Sequence, residues 1–210
     1  MLLGLALGIS LFTTSCSDFL TEDPKGRLTP ETYFSTQDEL NMSVYALYQK
    51  INQSQIYANM QYPQWQGDDI TTNPGSNKQA AAEIDRFSVA NNNKGLTAVW
   101  NMHYGIIKAA NFIIANAEKT PTSEEEINIA LGQAKYWRGY AYFTLVRLFG
   151  SLPMNLDNVN DDYTLPLTPA EGVYEQIVKD LTGAEAVLPT GYKDAPRFMN
   201  GVNIYVTCQG

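Results

Sequence analysis

The chain has 210 residues and a formal net charge of −8, a length that fits one domain or slightly more. Hydrophobic residues make up 44%, which supplies a core and excludes a disordered chain. The acidic balance, without any basic run, excludes a nucleic-acid binder, which needs cations to neutralise phosphates.

Residues 2–12 form an apolar run with the length of a secretory h-region, too short to span a bilayer. Thr13, Thr14 and Ser15 follow, and then Cys16. An apolar run ending in small residues and a Cys resembles a bacterial lipobox, in which the Cys becomes the acylated N-terminus. The basic n-region is missing, and Thr13 stands where Leu is commoner. The competing reading is a buried segment with an incidental Cys. Polar, Pro-containing sequence starts directly after Cys16, which favours the lipobox and reads as a tether. The expected organisation is a signal peptide over 1–15, a lipidated tether over 16–29, and a helical domain over 30–210. With Cys16 lipidated, Cys208 has no partner for an intrachain disulfide.

Residues 30–52 read as a helix. Ser35 or Thr36 can cap it with Asp38 or Glu39, and Leu40, Val44, Leu47 and Ile51 share one face. Residues 53–94 hold Pro63, Gly67, Pro74 and Gly75 among many Asn, Gln and Ser, with no sustained period. Tyr57, Tyr62, Trp65, Ile84 and Phe87 are too apolar for a linker, so the stretch reads as an ordered irregular excursion that admits short helical pieces. Residues 97–119 are expected to form a helix that is apolar on most sides, hence packed on most sides. Thr120-Pro121-Thr122 breaks the chain. Ser123 and Glu126 make a capping box, and the next helix runs through Trp137 to a stop at Gly150. A Pro- and Asp-rich loop over 151–167 leads to Thr168-Pro169-Ala170-Glu171, read as cap, first helical Pro and third-position Glu. Val173, Ile177, Leu181, Ala184 and Leu188 line that helix's inner face.

Helix pairs joined by short turns are the pattern of tetratricopeptide-like repeats, slightly enlarged here. The expected fold class is all-α, a helical-repeat scaffold with long irregular loops. Such units bury their faces against neighbours, and residues 204–210 offer no closing element. A stacked partner is therefore expected to be missing.

Cys16-Ser17-Asp18-Phe19-Leu20 with Asp23-Pro24 is similar to the mature N-terminus of the SusD/RagB family. Trp100 and Tyr104 followed by Ala110-Asn111 resemble its first repeat helix. The segment Ala134-Lys135-Tyr136-Trp137-Arg138-Gly139-Tyr140-Ala141-Tyr142-Phe143, closing on Arg147-Leu148-Phe149-Gly150 and Leu152-Pro153, resembles its most recognisable stretch. The resemblance covers nearly the whole chain. It implies a lipid-anchored, surface-exposed outer-membrane protein with a tetratricopeptide-type scaffold. Such a protein sits on a SusC-like TonB-dependent outer-membrane transporter and hands it glycans, oligosaccharides or sometimes peptides. It also implies a chain longer than 210 residues, with much of the ligand surface in a C-terminal half.

His103 is the single His, inside an apolar helix, and reads as a packing residue; no metal set or cofactor motif accompanies it. Asp68 and Asp69 are adjacent on one stretch. A glycosidase pair must flank the bond across roughly 5–9 Å, so a turn, cap or ion-coordinating role fits better. Trp100, Trp137, Tyr140 and Phe143 sit at helical spacing and read as core. Arg138 and Arg147 read as supports for packing or for the transporter interface. Tyr62-Pro63-Gln64-Trp65-Gln66-Gly67-Asp68 mixes ring faces with amides and carboxylates, which suits a sugar's alternating apolar and hydroxyl surface. Trp65, Asp68, Asp69 and Asn73 are the expected ligand contacts, against the reading in which Trp65 packs beneath its loop. The leading expectation is glycan binding without bond breaking. The rivals are an envelope-anchored protein-interaction scaffold and a surface glycoside hydrolase.

Overall fold

The computed structural model describes residues 33–54, 67, 71–72, 78–157 and 164–189. Cys16, Trp65, Asp68, Asp69 and Asn73 lie outside the described residues. Among the described residues there are five α-helices and one two-stranded sheet. They are α1 (Gln37–Ser54), α2 (Gln79–Asp85), α3 (Lys94–Asn116), α4 (Glu124–Phe149), β1 (Leu152–Pro153), β2 (Leu167–Thr168) and α5 (Ala170–Glu185). None of these helices is long and apolar enough to cross a membrane.

Local chemistry sets each start and stop. A turn over 34–36 precedes α1, so this helix begins at Gln37, and residues 30–32 of the expected helix lie outside the described residues. The Glu39 carboxylate accepts from Thr36 N (3.0 Å) and Ser35 N (2.8 Å), while Glu39 N donates to Thr36 Oγ1 (3.3 Å). These reciprocal bonds satisfy donors that the first helical turn would leave bare. They also hold the Glu39 carboxyl below its ordinary range, with the Ser35 hydroxyl the largest cause. Helix α3 begins at Lys94, earlier than the pattern suggested, because Asn93 caps it. It ends in a 3₁₀ turn, Ala117–Lys119. Ser123 caps α4 by accepting from Glu126 N at 3.2 Å, and Glu124, Glu125 and Glu126 sit at the positive end of its dipole. Gly150 stops it at φ +72°, a left-handed conformation that a side chain would resist.

The expected loop over 151–167 proves to be flanked by strands. β1 and β2 pair antiparallel, with Leu152 opposite Thr168 and Pro153 opposite Leu167. Thr168 is therefore a strand residue and not the cap of α5. Pro169 takes the cap position without a side-chain bond.

The helices pack in the order α1, α3, α4, α5, each long helix against its neighbour, with α1 also touching α4. Leu40, Leu47, Ile106, Ile113, Leu145 and Leu152 are fully or almost fully buried at their centre. Burying each such side chain stabilises the fold by about 1.5–3 kcal/mol. Gly132 marks the closest approach of α4 to the segment after α5. A Cβ there would lie 2.7 Å from Val187 Cγ2 and 2.9 Å from Leu188. Trp137 is buried as expected, ringed by Tyr48, Tyr136 and Tyr140 at centroid distances of 5.8, 5.1 and 5.4 Å. Phe143 is not core: it is 39% exposed, with the Arg147 guanidinium 4.9 Å from its ring centre.

One polar cluster ties three helices together. Arg138 on α4 forms a fork with Asp180 on α5, Nε to Oδ2 and Nη2 to Oδ1, both at 2.7 Å. Its Nη1 donates to Asn111 Oδ1 on α3 at 2.8 Å. Asn111 Nδ2 donates onward to the Asn155 carbonyl at 3.0 Å, which also accepts from the Tyr142 hydroxyl at 2.7 Å. The Tyr104 hydroxyl donates to the Pro153 carbonyl at 2.7 Å. Gln176 Nε2 adds a third bond to Asp180, at 3.0 Å. Burial pushes the Tyr104 and Tyr142 phenols upward, so both remain neutral donors. Arg138 and Asp180 are 8% and 3% exposed at their side chains. Such a pair is costly to desolvate and more costly to break, because the survivor is a buried bare charge.

His103 is fully buried in α3. Its Nδ1 lies 2.7 Å from the Val99 carbonyl, so that nitrogen carries the proton. Nε2 has no partner among the described residues. Burial pushes the imidazole pKa down, partly opposed by the Val99 bond.

Two outcomes are expected. Asp180→Ala strands the Arg138 charge and should cost about 3–5 kcal/mol in denaturant unfolding. The double change Arg138→Met, Asp180→Leu should recover most of that loss; a double variant as unstable as the single one would contradict the stranded-charge account. For His103, an unfolded histidine titrates near pH ~6.5. Below that pH the unfolded chain binds a proton that the folded chain refuses. Stability should thus be full above pH ~6.5 and fall as pH drops from there toward the lower folded pKa. His103→Asn should flatten the fall below pH ~6.5, and an unchanged slope would clear His103 as its cause.

Candidate ligand-binding groove

The groove begins with one asparagine. Asn93 Oδ1 accepts from Gly95 N (2.9 Å) and Leu96 N (3.1 Å), capping α3. Its Nδ2 donates to the Ala80 carbonyl (3.0 Å) and to Glu83 Oε2 (2.8 Å) on α2. A single amide thereby starts one helix and moors another. Glu83 also accepts from Gln79 Nε2 at 2.9 Å and Ala90 N at 3.3 Å. These bonds, Asn93's first, hold the Glu83 carboxyl below its usual range. At the far end of α2, Asp85 accepts from Thr72 N (2.9 Å), Thr72 Oγ1 (2.8 Å) and Thr71 Oγ1 (3.1 Å).

From the other side, the end of α4 brings Phe149 to the start of α3. Phe149 meets Trp100 edge to face, 5.1 Å between centroids at 88°. Tyr104 packs on Trp100 at 4.8 Å and is itself fixed through its hydroxyl. Between these rings and the Asn93 turn lies an open groove of about 390 Å³. Val89, Ala90, Leu96, Trp100 and Phe149 form its apolar surface; Asn91, Asn93 and Thr97 supply amides and a hydroxyl. Among the described residues no charged side chain lines it. That size and mixture suit a small neutral ligand held by ring faces and a few hydrogen bonds.

The turn between α2 and the groove is strained. Phe87 has φ +53°, a non-glycine residue in the left-handed region. Ser88 N donates back to the Glu83 carbonyl at 2.9 Å, the closing bond of a helix stop where Gly is usual. A side chain there costs about 1–2 kcal/mol. Burial does not offset it, since Phe87 is 72% exposed.

The structure treats the sequence-derived candidates unevenly. Trp65, Asp68, Asp69 and Asn73 are outside the described residues. Trp100, read as core, is only partly buried and forms a groove wall. Asn91, Asn93, Leu96 and Phe149 were missed. The signal for Asn93 was present as an asparagine directly before a helix, which is a strong N-cap preference. Among the described residues no three His, Cys, Asp or Glu side chains gather as a metal set.

The chain and its fold resemble known proteins. Residues 18–200 match a family model described as SusD-like, starch-binding and associating with the outer membrane. The chain is 29% identical over 184 residues to SusD-like protein P2 of Formosa agariphila, covering 85% of this chain and 36% of that protein. The structure superposes on a laminarin binding SusD-like protein with a TM-score of 0.68 at 20% identity, over 77% of this chain and 36% of the other. A protein crystallised with xylogluco-oligosaccharide gives a TM-score of 0.62 at 23% identity, over 74% and 31%. The scaffold is thus the tetratricopeptide-like helical fold of the SusD type. The chain spans about a third of the length of these relatives.

Proposed function

The chain belongs to the SusD-like family, and from that premise we propose that it captures uncharged oligosaccharides at the bacterial surface and passes them to a SusC-like TonB-dependent outer-membrane transporter, without breaking a bond. The observation that carries the reading is the Trp100–Phe149 groove, where apolar rings and neutral amides face one space with no charge among the described lining residues. A sugar presents C–H faces and hydroxyl edges. Ring faces exclude water from the first, and the Asn91 amide and Thr97 hydroxyl can bond the second. The family's description as starch-binding and outer-membrane-associated supports both the ligand class and the location.

The proposed organisation keeps residues 1–15 as a signal peptide, Cys16 as the lipidated residue, 16–29 as a tether and 30–210 as helical domain. Trp65, Asp68, Asp69 and Asn73 remain proposed ligand contacts on the strength of their residue types alone. An acyl chain contributes about 0.8 kcal/mol per buried CH₂, so stable attachment takes more than one chain.

The groove is tested by calorimetry of the whole chain with malto-, laminari- and xylogluco-oligosaccharides. Trp100→Phe keeps a ring in the wall and should leave the melting temperature nearly unchanged. It should weaken whichever oligosaccharide binds by about tenfold, or ~1.4 kcal/mol. Unaltered affinity in that variant would move the site elsewhere. Anchoring is tested by cell fractionation. Cys16→Ala should shift the protein out of the outer-membrane fraction, and wild-type fractionation would end the lipoprotein reading.

A further inference from the structure

We infer that Glu83 is the positioning residue of the groove: from outside the lining, its carboxylate staples the turn that carries Ala90, Asn91 and Asn93, and so keeps the groove formed before a ligand arrives. Its consequence for binding rests on the glycan reading of the groove; the staple itself does not.

The turn is one unit. Asn93 N donates to the Ala90 carbonyl at 3.0 Å, which closes residues 90–93 as a β-turn. Glu83 Oε2 grips that turn at both ends. It accepts from Ala90 N at 3.3 Å and from Asn93 Nδ2 at 2.8 Å. The backbone carbonyl of the same residue accepts from Ser88 N at 2.9 Å. Glu83 thus holds the stretch at Ser88, Ala90 and Asn93. Among the described residues no other side chain bonds the backbone of residues 88–92.

The strain at Phe87 shows that the stretch is constrained. Phe87 has φ +53°, and a non-glycine residue keeps such a conformation only where its surroundings over-determine it. The bonds from Glu83 to Ser88 N and Ala90 N lie directly after Phe87 and supply that constraint. The carboxylate also divides its two oxygens. Oε1 accepts from Gln79 Nε2 at 2.9 Å, one turn back on α2, while Oε2 serves the groove. Helix α2 is a fixed base for this reach, because Asp85 at its far end accepts from Thr72 N at 2.9 Å and Thr72 Oγ1 at 2.8 Å. Without the Glu83 carboxylate, Asn93 keeps its bond to the Ala80 carbonyl at 3.0 Å and α3 keeps its cap. Ala90 N, by contrast, loses its partner. The leading edge of the groove, Val89, Ala90 and Asn91, is then free to open. A ligand must order that edge as it binds, which weakens its apparent affinity.

The test is amide hydrogen exchange of the whole chain, followed residue by residue, in Glu83→Ala, Glu83→Gln and Gln79→Ala. Calorimetry with malto-, laminari- and xylogluco-oligosaccharides runs beside it. Glu83→Ala should speed exchange of the Ala90 and Asn93 N–H groups by about tenfold and leave the amides at the centre of α4 as protected as before. It should weaken whichever oligosaccharide binds by about tenfold. Glu83→Gln should stay within about twofold of wild type in both readouts. Its carbonyl oxygen can still accept from Ala90 and Asn93 while its amide faces a reoriented Gln79. Gln79→Ala removes only the bond within α2, and should leave both exchange at Ala90 and affinity unchanged. Unchanged exchange at Ala90 in Glu83→Ala would overturn the inference. So would protection lost throughout α4, an equal effect of Gln79→Ala, or a Gln variant that behaves as the Ala variant. Faster exchange with undiminished affinity would overturn the role in binding. If the wild type binds none of the probes, the glycan reading fails, and the exchange rates still decide whether Glu83 holds the turn.

Discussion

The arrangement depends on one buried guanidinium. Arg138 faces Asp180 on one side and Asn111 on the other, and those partners belong to the two helices that flank its own. Apolar packing tolerates small slides of one helix along another, because many registers bury similar areas. A bidentate fork at 2.7 Å does not. Through Asn111 the same cluster reaches the Asn155 carbonyl and so fixes the segment that leaves α4. The end of α4 is then held where Phe149 can meet Trp100. The groove is a consequence of helix register, and register is set by polar bonds that the hydrophobic pattern could not specify.

A second asparagine does the corresponding job at the surface. Asn93 spends both ends of its amide on structure, capping α3 and mooring α2. It lines the groove but has little hydrogen-bonding capacity left for a ligand. Recognition in this account falls instead on Asn91, Thr97 and the rings, which are mounted on the frame that Asn93 and Arg138 build. This division of labour explains how an open, shallow site can be preorganised. The rigid parts are buried, and the described lining of the groove is neutral.

Much of the scaffold was legible because it is local. The Thr36–Glu39 box, the Ser123 cap, the stop at Gly150 and the stripe Leu40, Val44, Leu47 and Ile51 all declare themselves within a few residues. The Arg138–Asp180 pair was not legible, since 42 residues separate the partners and nothing in Asp180's own turn marks it for burial. Thr168 was misread for a related reason. Its local sequence is a good helix start, but pairing with Leu152 claimed its backbone first. Phe143 was assigned to the core on spacing, yet the buried line of α4 runs through Trp137, Ala141 and Leu145, and Phe143 falls beside it. The groove was hidden because it is assembled from the start of one helix and the end of another. Trp100 looked like core on its own helix and became a wall only where Gly150 ended the neighbour.

The central claim is that this site recognises a neutral sugar chain through rings and amides. On a chain of net charge −8, a binding event that used charge would respond strongly to salt, since screening is nearly complete beyond ~3 Å at 1 M. The most direct measurement is calorimetry of a neutral oligosaccharide and an equally long uronate-bearing one across a range from about 0.02 to 1 M salt. The account predicts that the neutral chain binds with an affinity that does not move with salt and that the uronate chain binds more weakly. Tighter binding of the uronate chain, or a neutral-chain affinity that falls steadily with salt, would contradict it.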